Sequence, residues 1–212
     1  MRARTKKVLR WLARISIIFL FVAYCAVWAL ARHGLFKEPD WKLFGQLPEA
    51  SIVYDVAGNR IATYCLECRE PVPLSKMGKF PDYAVAAEDR EFWSRWTPIS
   101  KRGFFRALFY DISTLSFKQG GSSISQQLAR SVFAKPELLA EQKNKTHGAK
   151  LWRKARELWI AWRMERHYSH RDILEMYLNQ VYCGSNRYGV AACSAYYFGK
   201  EPFALKPAET AW

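Results

Sequence analysis

A stretch of seventeen residues without a charge, residues 15–31, follows a tail with six basic residues and no acid. This length is at the short end for a helix that spans a bilayer, and Trp11 and Leu12 can lengthen it. The apolar region of a signal peptide is the alternative. However, the stretch is long for one, and "ALARHG" only loosely resembles a cleavage site. We predict a retained transmembrane anchor at 15–31, and the basic tail at 1–14 predicts a cytoplasmic N-terminus.

The net charge of +14 favours an acidic partner, such as nucleic acid, an anionic membrane or a phosphorylated substrate. The anchor separates these alternatives, because it places the chain after residue 32 outside the cytoplasm. We therefore predict a membrane partner and no nucleic acid. The rest of the chain divides into a connector at 32–50 and a domain at 51–212.

The domain is predicted to be mostly α-helical with one small β-hairpin. β-Branched and aromatic residues surround Gly58-Asn59, which is a hairpin signal for 51–64. Ser169 followed by Asp172 is typical of a capping box and predicts a helix start. After Pro81 the apolar pattern predicts further helices at 102–113, 124–133 and 150–168. A polar loop or lid is predicted at 134–149, between the second and third of these helices.

Cysteine and histidine spacing defines no ligand set. Cys65 and Cys68 form a C-x-x-C pair, which is compatible with a redox motif, half a zinc site or an incidental pair. The sequence has no second C-x-x-C, which disfavours zinc. An oxidising compartment would allow a disulfide here or between Cys183 and Cys193, but we predict neither. The four histidines lack metal-ligand spacing, so no metal-binding residues are predicted.

The stretch "QGGSSISQQLARS" at 119–131 places glycines, serines and glutamines directly before an apolar-periodic segment. Ser123 followed by Gln126 fits a capping box, in which case the glycines form the preceding turn. A glycine-rich turn that opens a helix also presents free N–H groups, which suit an anion. Both interpretations remain open from these residues alone.

Two acidic positions are candidates for chemistry. Glu88 and Asp89 follow an apolar helical stretch, so they are either a solvated pair or include a partly desolvated carboxylate suited to general-base catalysis. Glu157 lies four residues after Arg153. An intrahelical ion pair is the simpler interpretation, although Arg before Glu is the weaker order. The surrounding basic residues, which Arg130 could join, also suit a pyrophosphate.

Five segments, taken in order, resemble the peptidoglycan glycosyltransferases, glycosyltransferase family 51. "AAEDREF" (86–92) resembles the first motif of the family, and "QGGSSISQQLAR" (119–130) resembles the second. "RKARE" (153–157), "RDILEMYLN" (171–179) and "YGVAACSAYYFGK" (188–200) resemble the third, fourth and fifth. The resemblance covers about residues 50–212, and the hairpin before the first motif and the N-terminal anchor also fit the family. It implies a lysozyme-like, two-lobed domain preceded by one transmembrane helix.

The resemblance also implies an activity, the polymerisation of lipid II into glycan strands. Glu88 would act as the general base toward the acceptor 4-hydroxyl, with inversion at the donor. Glu157 would assist departure of undecaprenyl pyrophosphate, together with a divalent cation, Mg²⁺ or Mn²⁺, bound with the pyrophosphate. The implied substrate-binding residues are Asp89, Ser122, Gln126, Gln127, Arg130, Arg153, Lys154 and Arg156.

Some positions depart from the family pattern. Arg95 and Thr97 stand where the family has His and Gly, and Arg130 stands where it has Lys. The family normally continues beyond "PAETAW", so we expect either a C-terminally incomplete domain or a short divergent member. We expect the monofunctional type, since the sequence contains no transpeptidase module.

The expected setting is a bacterial cytoplasmic (inner) membrane, crossed once, with the catalytic domain outside the cytoplasm. Lipid II, the growing strand and other cell-wall synthesis proteins are the expected partners. Two alternatives to the enzyme are an inactive membrane-anchored scaffold of cell-wall synthesis and a lysozyme-like enzyme that cleaves glycans.

Overall fold

The computed structural model describes residues 2–32, 34–46, 48–95, 97–98, 122–134, 139, 142–143 and 146–210. The chain forms two compact units, Met1–Glu38 and Pro39–Trp212. The first contains helix α1 (Arg2–Arg32), where apolar side chains such as Phe19 and Leu20 are exposed. Over its described residues, no helix is both long enough and apolar enough to cross a membrane. The anchor expected at 15–31 stays a prediction.

The second unit is mostly helical and carries the predicted hairpin. Strands β1 (Ser51–Tyr54) and β2 (Arg60–Tyr64) pair antiparallel. Asp55 shapes the turn between them, because its carboxylate accepts hydrogen bonds from the Ala57 and Asn59 amides at 2.9 and 2.7 Å. An aspartate that binds backbone two residues onward mimics a turn and fixes its geometry.

Among the described residues, six α-helices of this unit follow the hairpin: α2 (Phe80–Glu88), α3 (Ile124–Val132), α4 (His147–His167), α5 (His170–Leu178), α6 (Val190–Phe198) and α7 (Pro207–Thr210). Helix α3 packs against α4 and α5. The fully buried core here includes Leu128, Ile160, Met164, Ile173 and Leu174. Each such side chain contributes about 1.5–3 kcal/mol by leaving water. The core therefore fixes the three helices that carry most of the predicted motifs.

Capping groups set the starts of these helices. The Ser123 hydroxyl accepts from the Gln126 amide at 3.3 Å, as predicted. The Gln126 side chain, however, donates to the Pro98 carbonyl at 2.8 Å instead of completing the box. Ser169 and Asp172 form the complete capping box that was predicted. The predicted helix at 102–113 and most of the loop at 134–149 lie outside the described residues.

Part of the predicted connector at 32–50 packs onto the helical unit. The Trp41 ring stacks on His167, with centroids 5.1 Å apart and planes 8° apart. It also meets Phe133 and Tyr168 edge-on at 5.3 and 5.8 Å. Such contacts add about 0.5–1.5 kcal/mol to the area that is buried. The unit therefore begins before residue 51, because an aromatic side chain in the connector completes its core.

Two disulfides, neither of which was predicted, flank a second small sheet. Strands β3 (Cys68–Arg69) and β4 (Arg187–Tyr188) pair in parallel. One disulfide joins Cys65 to Cys68, and the other joins Cys183 to Cys193. Their Cα separations of 4.9 and 6.2 Å lie in the usual range. Both pairs were possible from the sequence, but spacing alone does not decide between a disulfide and two free thiols.

Motif-four residues attach the segment after β3 to α5. Asn179 accepts from the Val72 amide and donates to the Val72 carbonyl, both at 2.9 Å. Glu175 accepts from the Leu74 amide at 2.9 Å. Backbone groups that lack a regular ladder need such partners when they are partly buried. These residues of "RDILEMYLN" therefore have a structural task, which joins the hairpin side of the unit to its helices.

Gly189 is the position where we expect an added methyl group to be most disruptive to the fold. Its φ of +83° with ψ of 151° is nearly restricted to glycine. An added Cβ would also lie 2.7 Å from the Asn179 carbonyl oxygen. We expect Gly189→Ala to lower the free energy of unfolding by about 3 kcal/mol, the upper end of backbone strain.

Gly199→Ala is the matched control for this prediction. Gly199 also has a positive φ, +63°, but nothing lies within 4 Å of an added Cβ. We expect it to cost only about 1 kcal/mol, since it tests the conformational preference alone. Denaturant unfolding of the two detergent-solubilised variants measures both values. Equal losses would show that the Asn179 contact does not matter.

Candidate active site

The first candidate carboxylate, Glu88, ends α2 and is held by a side chain from α3. Its Oε2 accepts a hydrogen bond from Gln127 Nε2 at 2.7 Å. Gln127 Oε1 in turn accepts from the Tyr177 hydroxyl of α5 at 3.3 Å. Burial, together with the charge of Glu88, raises the pKa of Tyr177 to about 12, so this hydroxyl stays protonated and keeps donating. The chain Tyr177–Gln127–Glu88 orients the carboxylate.

Glu88 is exposed, so it is not the partly desolvated carboxylate considered above, and the buried carboxylate of the pair is that of Asp89. The reason lies in the end of α2. Val85 and Asp89 turn inward at the last turn, while Glu88 faces the open side of the helix. An exposed carboxylate with one fixed hydrogen bond can meet a ligand directly, because its other oxygen has no hydrogen-bond partner among the described residues to displace.

The second candidate carboxylate, Glu157, is buried among cations on α4. Its Oε1 forms an ion pair with Arg153 Nη1, one turn earlier, and lies 3.8 Å from Arg130 Nε. Its Oε2 lies 3.2 Å from Lys154 Nζ. Three cations around one carboxylate leave a surplus of positive charge. A cluster of this kind suits an anion with more than one charged oxygen.

Lys154 extends this cluster to the start of α3. Its ammonium donates to Ser122 Oγ at 2.7 Å. Burial lowers the pKa of Lys154, an effect that the charge of Glu157 opposes. The repulsion from Arg130 and Arg153 lowers it further. An anion that enters here would therefore be strongly favoured, since it would stabilise the charged ammonium.

Arg130 brings the two carboxylate centres together. It lies three residues after Gln127 on α3, so both side chains lie on one face of that helix. Gln127 contacts Glu88, and Arg130 lies beside Glu157. Both residues also line a cavity of about 260 Å³, with Tyr177, Gln180, Tyr182 and Tyr188 among its other walls. The cavity thus connects the Glu88 side to the cation cluster.

Asp89 lies on the interior side of the same turn as Glu88. Its side chain has no exposed surface and forms an ion pair with Arg95. It also accepts from the Ile124 amide at the start of α3, at 3.2 Å. A carboxylate at this place interacts favourably with the helix dipole. The predicted contact of Asp89 with substrate stays a prediction, and its observed contacts position α3 against α2.

Arg95 extends this network to α4. Its Nη2 donates to Ser125 Oγ and to Glu165 Oε1, both at 3.0 Å. Ser125 Oγ donates to the same Glu165 oxygen at 2.5 Å. Burial lowers the pKa of Arg95, while the charge of Glu165 opposes that effect. The arginine that replaces the family histidine therefore joins two buried acids from different helices.

The amides at the start of α3 are partly occupied by groups of the protein itself. Asp89 takes the Ile124 amide and Ser123 takes the Gln126 amide. The anion site considered for this helix start therefore has fewer free donors than the sequence suggested. The hydrogen bond from Lys154 to Ser122 still places a cation beside this helix start.

The structure therefore assembles most of the predicted site residues but gives them different environments. Arg156, which directly precedes Glu157 in the sequence, is buried. Its contact with substrate stays a prediction. No group of three His, Cys, Asp or Glu side chains suited to a metal occurs in the part of the chain that the structure describes. Glu157 is a poor metal ligand, because cations surround its oxygens.

Sequence reasoning missed Tyr177 and Glu165. Tyr177 belongs to the apolar face of α5 with Ile173 and Leu174, so its spacing indicated only a core position. Glu165 lies 70 residues from Arg95, and no local pattern links such positions. The departure at Arg95 was visible, but its partners were not.

Comparison with known proteins gives a consistent assignment. The family model Transglycosylase matches residues 57–212. Penicillin-binding protein 1F of Bacillus subtilis (strain 168) is 37% identical over 198 residues, which is 93% of this chain and 26% of that protein. Penicillin-binding protein 1A of Aquifex aeolicus (strain VF5) is 36% identical over 82% of this chain and 23% of that protein. The 1A protein of Escherichia coli (strain K12) is 32% identical over 86% and 21%.

The chain thus spans about a quarter of the length of the curated relatives it matches. The matched region contains Glu88, Glu157 and the residues around them. Family model, relatives and the five ordered motifs agree. The chain belongs to the transglycosylase family, the peptidoglycan glycosyltransferases that its motifs resemble.

Proposed function

We propose that this chain polymerises lipid II into glycan strands by inverting glycosyl transfer. One observation carries the proposal. Helix α3 places Gln127 on an exposed carboxylate, Glu88, and Arg130 beside a buried carboxylate ringed by cations, Glu157. The reaction needs a base beside the attacking hydroxyl of the acceptor sugar and positive charge beside the leaving pyrophosphate of the donor sugar. This arrangement supplies both.

The proposed reaction begins at Glu88. Its carboxylate takes the proton from the 4-hydroxyl of the acceptor sugar, and that oxygen bonds to the anomeric carbon of the donor. The bond from this carbon to the pyrophosphate oxygen breaks, and the electron pair leaves with undecaprenyl pyrophosphate. Gln127 fixes the carboxylate through its 2.7 Å hydrogen bond. A fixed base avoids the cost of orientation during the reaction.

The leaving pyrophosphate would be stabilised by the cations around Glu157. Lys154, Arg153 and Arg130 are held there by their contacts with that carboxylate. Preorganised charges act more strongly than mobile ones, because they need no rearrangement when charge develops. Glu157 therefore works by arranging cations, and a rise in negative charge on the leaving group would draw them away from it.

A divalent cation, Mg²⁺ or Mn²⁺, is part of the proposal only as a partner of the pyrophosphate. The described side chains do not form a metal site, and Glu157 already faces cations. Mg²⁺ commonly takes most of its ligands from water and phosphate oxygens. When bound, such an ion would neutralise pyrophosphate charge, and no step above depends on it.

Sugar recognition is proposed for the cavity beside Gln127. The rings of Tyr182 and Tyr188 lie there with centroids 4.9 Å apart, and aromatic faces suit the apolar faces of sugars. Gln180 is buried, and its Oε1 has no hydrogen-bond partner among the described residues. A sugar hydroxyl would satisfy this oxygen, whose burial without a partner is otherwise costly.

The deciding test is incubation of the purified, detergent-solubilised chain with lipid II, followed by separation of glycan strands on a gel. Strands are the expected product. Shortening of preformed peptidoglycan without strand formation would indicate the lysozyme-like cleaving enzyme instead. A folded chain that does neither would indicate the inactive scaffold of cell-wall synthesis.

Tyr177→Phe tests the positioning of the base. The variant keeps the buried ring but loses the hydroxyl that donates to Gln127 at 3.3 Å. One neutral hydrogen bond contributes about 0.5–1.5 kcal/mol, so we expect a rate loss of up to about tenfold. Polymerisation rates across pH are the measurement, since a misplaced base shifts the profile while unfolding does not. An unchanged rate and profile would remove Tyr177 from the site.

We also propose the finer setting that the sequence predicts. The unit would be two-lobed and lysozyme-like, and residues 15–31 would lie in the bacterial inner membrane with the N-terminus cytoplasmic. The exposed apolar side chains of α1 support membrane contact, because large exposed apolar surfaces mark interaction sites. Other cell-wall synthesis proteins would then be neighbours. Release of the chain from membranes by carbonate would contradict the anchor, and protease protection of the N-terminus in spheroplasts would support its orientation.

A further inference from the structure

A second cavity, of about 500 Å³, lies apart from the candidate active site. Its walls come from β2, β4, α6 and the segment directly after α6, and they include Arg60, Arg187, Tyr196, Lys200 and Glu201. We name it the Arg187 cavity. Its volume is within the usual range for pockets that bind small ligands.

Strand β4 separates this cavity from the one beside Gln127. Arg187 lines the Arg187 cavity, whereas the next residue, Tyr188, lines the cavity that contains Gln127 and Arg130. Successive side chains of a strand point to opposite faces. A ligand in the Arg187 cavity would therefore not occupy the space next to Glu88.

The available positive charge in the cavity is at Arg187. Arg60 forms two hydrogen bonds with Glu70, at 3.0 and 2.8 Å, and Lys200 lies 2.6 Å from Glu209. Arg187, in contrast, forms no ion pair with an acid among the described residues.

The Arg187 side chain is also held in place, although one of its hydrogen-bond donors lacks a partner among the described residues. Its guanidinium carbon lies 4.6 Å from the centre of the Tyr196 ring. Its Nε is buried and, within the described part of the chain, has no hydrogen-bond partner. A buried donor of this kind normally has a partner, so the site favours a ligand that accepts.

The charges favour a carboxylate over a phosphate. The guanidinium fork matches a carboxylate with two parallel hydrogen bonds. Glu201 also lines the cavity, and Glu70 and Glu209 lie next to its other cations. These acids would repel a doubly charged phosphate, while Glu201 could accept from an amine. A molecule with a carboxylate and a nearby amine fits both features.

The walls of the cavity are fixed before any ligand arrives. The Cys183–Cys193 disulfide joins the segment before β4 to α6, which provides Tyr196. The Tyr197 hydroxyl also donates to the Cys183 carbonyl at 2.8 Å. A preorganised site loses less entropy on binding, so a small ligand can bind with useful affinity.

We propose that the Arg187 cavity binds a short peptide, with Arg187 pairing with its free carboxylate and Glu201 accepting from its amine. The peptide would be held on the face of β4 opposite the sugar cavity.

Calorimetric titration of the full, detergent-solubilised chain with alanyl-alanine tests the proposal. We expect the free dipeptide to bind and its C-terminal amide to bind about 10- to 100-fold more weakly, as loss of a charged hydrogen bond implies. Arg187→Gln should weaken binding of the free dipeptide by the same factor. Lys76→Gln, an exposed cation outside the cavity, is the control and should leave binding unchanged.

Two further variants sharpen the test. Acetylating the dipeptide amine should weaken binding to the wild type but not to Glu201→Gln, which keeps the fold because Glu201 is exposed. Equal binding of acid and amide, full binding by Arg187→Gln, or equal competition by inorganic phosphate would each overturn the proposal. Titrating Glu88→Gln with the dipeptide separates this proposal from the proposed function. We expect this variant to bind the dipeptide normally while its polymerisation falls. Dipeptide binding without any polymerisation by the wild type would leave this site standing and remove the proposed function.

Discussion

Replacing Glu88 by glutamine is expected to lower the polymerisation rate by about 10²- to 10⁴-fold, the range that a positioned general base contributes. Glutamine cannot take the proton of the acceptor hydroxyl at neutral pH. Its carbonyl oxygen can still accept from Gln127 Nε2, which now lies 2.7 Å from the carboxylate. Since Glu88 is exposed, the fold should not depend on its charge. Activity should therefore fall while stability stays the same.

The rate of strand formation and the unfolding midpoint, measured on one preparation, check both parts of this prediction. Asp82→Asn is the matched control, since it removes an exposed carboxylate from the same helix. We expect its rate to equal that of the wild type. Near-normal polymerisation by Glu88→Gln would remove Glu88 from the role of base. A joint loss of rate and stability would mean that the residue is structural.

Replacing Arg95 by methionine is expected to have the largest effect on stability. The change would leave two buried acids, Asp89 and Glu165, without their shared cation. Breaking a buried ion pair in this way costs about 3–5 kcal/mol, because an uncompensated charge remains in the interior. Asp89 also holds the Ile124 amide, so movement of Asp89 would disturb the start of α3. Activity should fall with it, through the position of Gln127.

Denaturant unfolding of the detergent-solubilised chain measures this loss. Arg90→Met is the control, because Arg90 is exposed and its one hydrogen bond within the described residues goes to the Ala86 carbonyl of α2, the helix that it follows. We expect its effect to stay within about 0.5 kcal/mol, as for most surface substitutions. The double variant Asp89→Asn with Arg95→Met should lose less than the sum of the two single changes, since the residues interact. A loss below about 1 kcal/mol for Arg95→Met would mean that solvent reaches the network and screens it.

Local features of the fold were predictable because their cause lies within a few residues. The hairpin follows from a turn flanked by β-branched and aromatic residues, and Ser169 with Asp172 forms the predicted capping box. The helix start at Ser123 was also predicted, since a hydroxyl that accepts from an amide three residues later needs only local geometry.

Long-range partners could not be predicted in the same way. Gln126 has the sequence of a capping-box residue, yet its amide donates to Pro98, 28 residues earlier. The Cys183–Cys193 disulfide closes around β4, whose pairing with β3 joins segments more than 100 residues apart. The site shows the same division. The motifs identified Glu88, Gln127 and Glu157, whereas the burial of Asp89 and the task of Arg95 required the three-dimensional arrangement.

The attachment of residues 72–74 to α5 has a consequence for how the chain folds. The Val72 groups find their partner 107 residues later, at Asn179, and Leu74 finds its partner 101 residues later. At a synthesis rate of about 5–20 residues per second, these backbone groups wait about 5–20 s for α5 to be made. Loop closure over such a distance is slow compared with helix formation. The side of the domain made first is therefore completed among the last, and the backbone groups of Val72 and Leu74 hydrogen-bond to water until then.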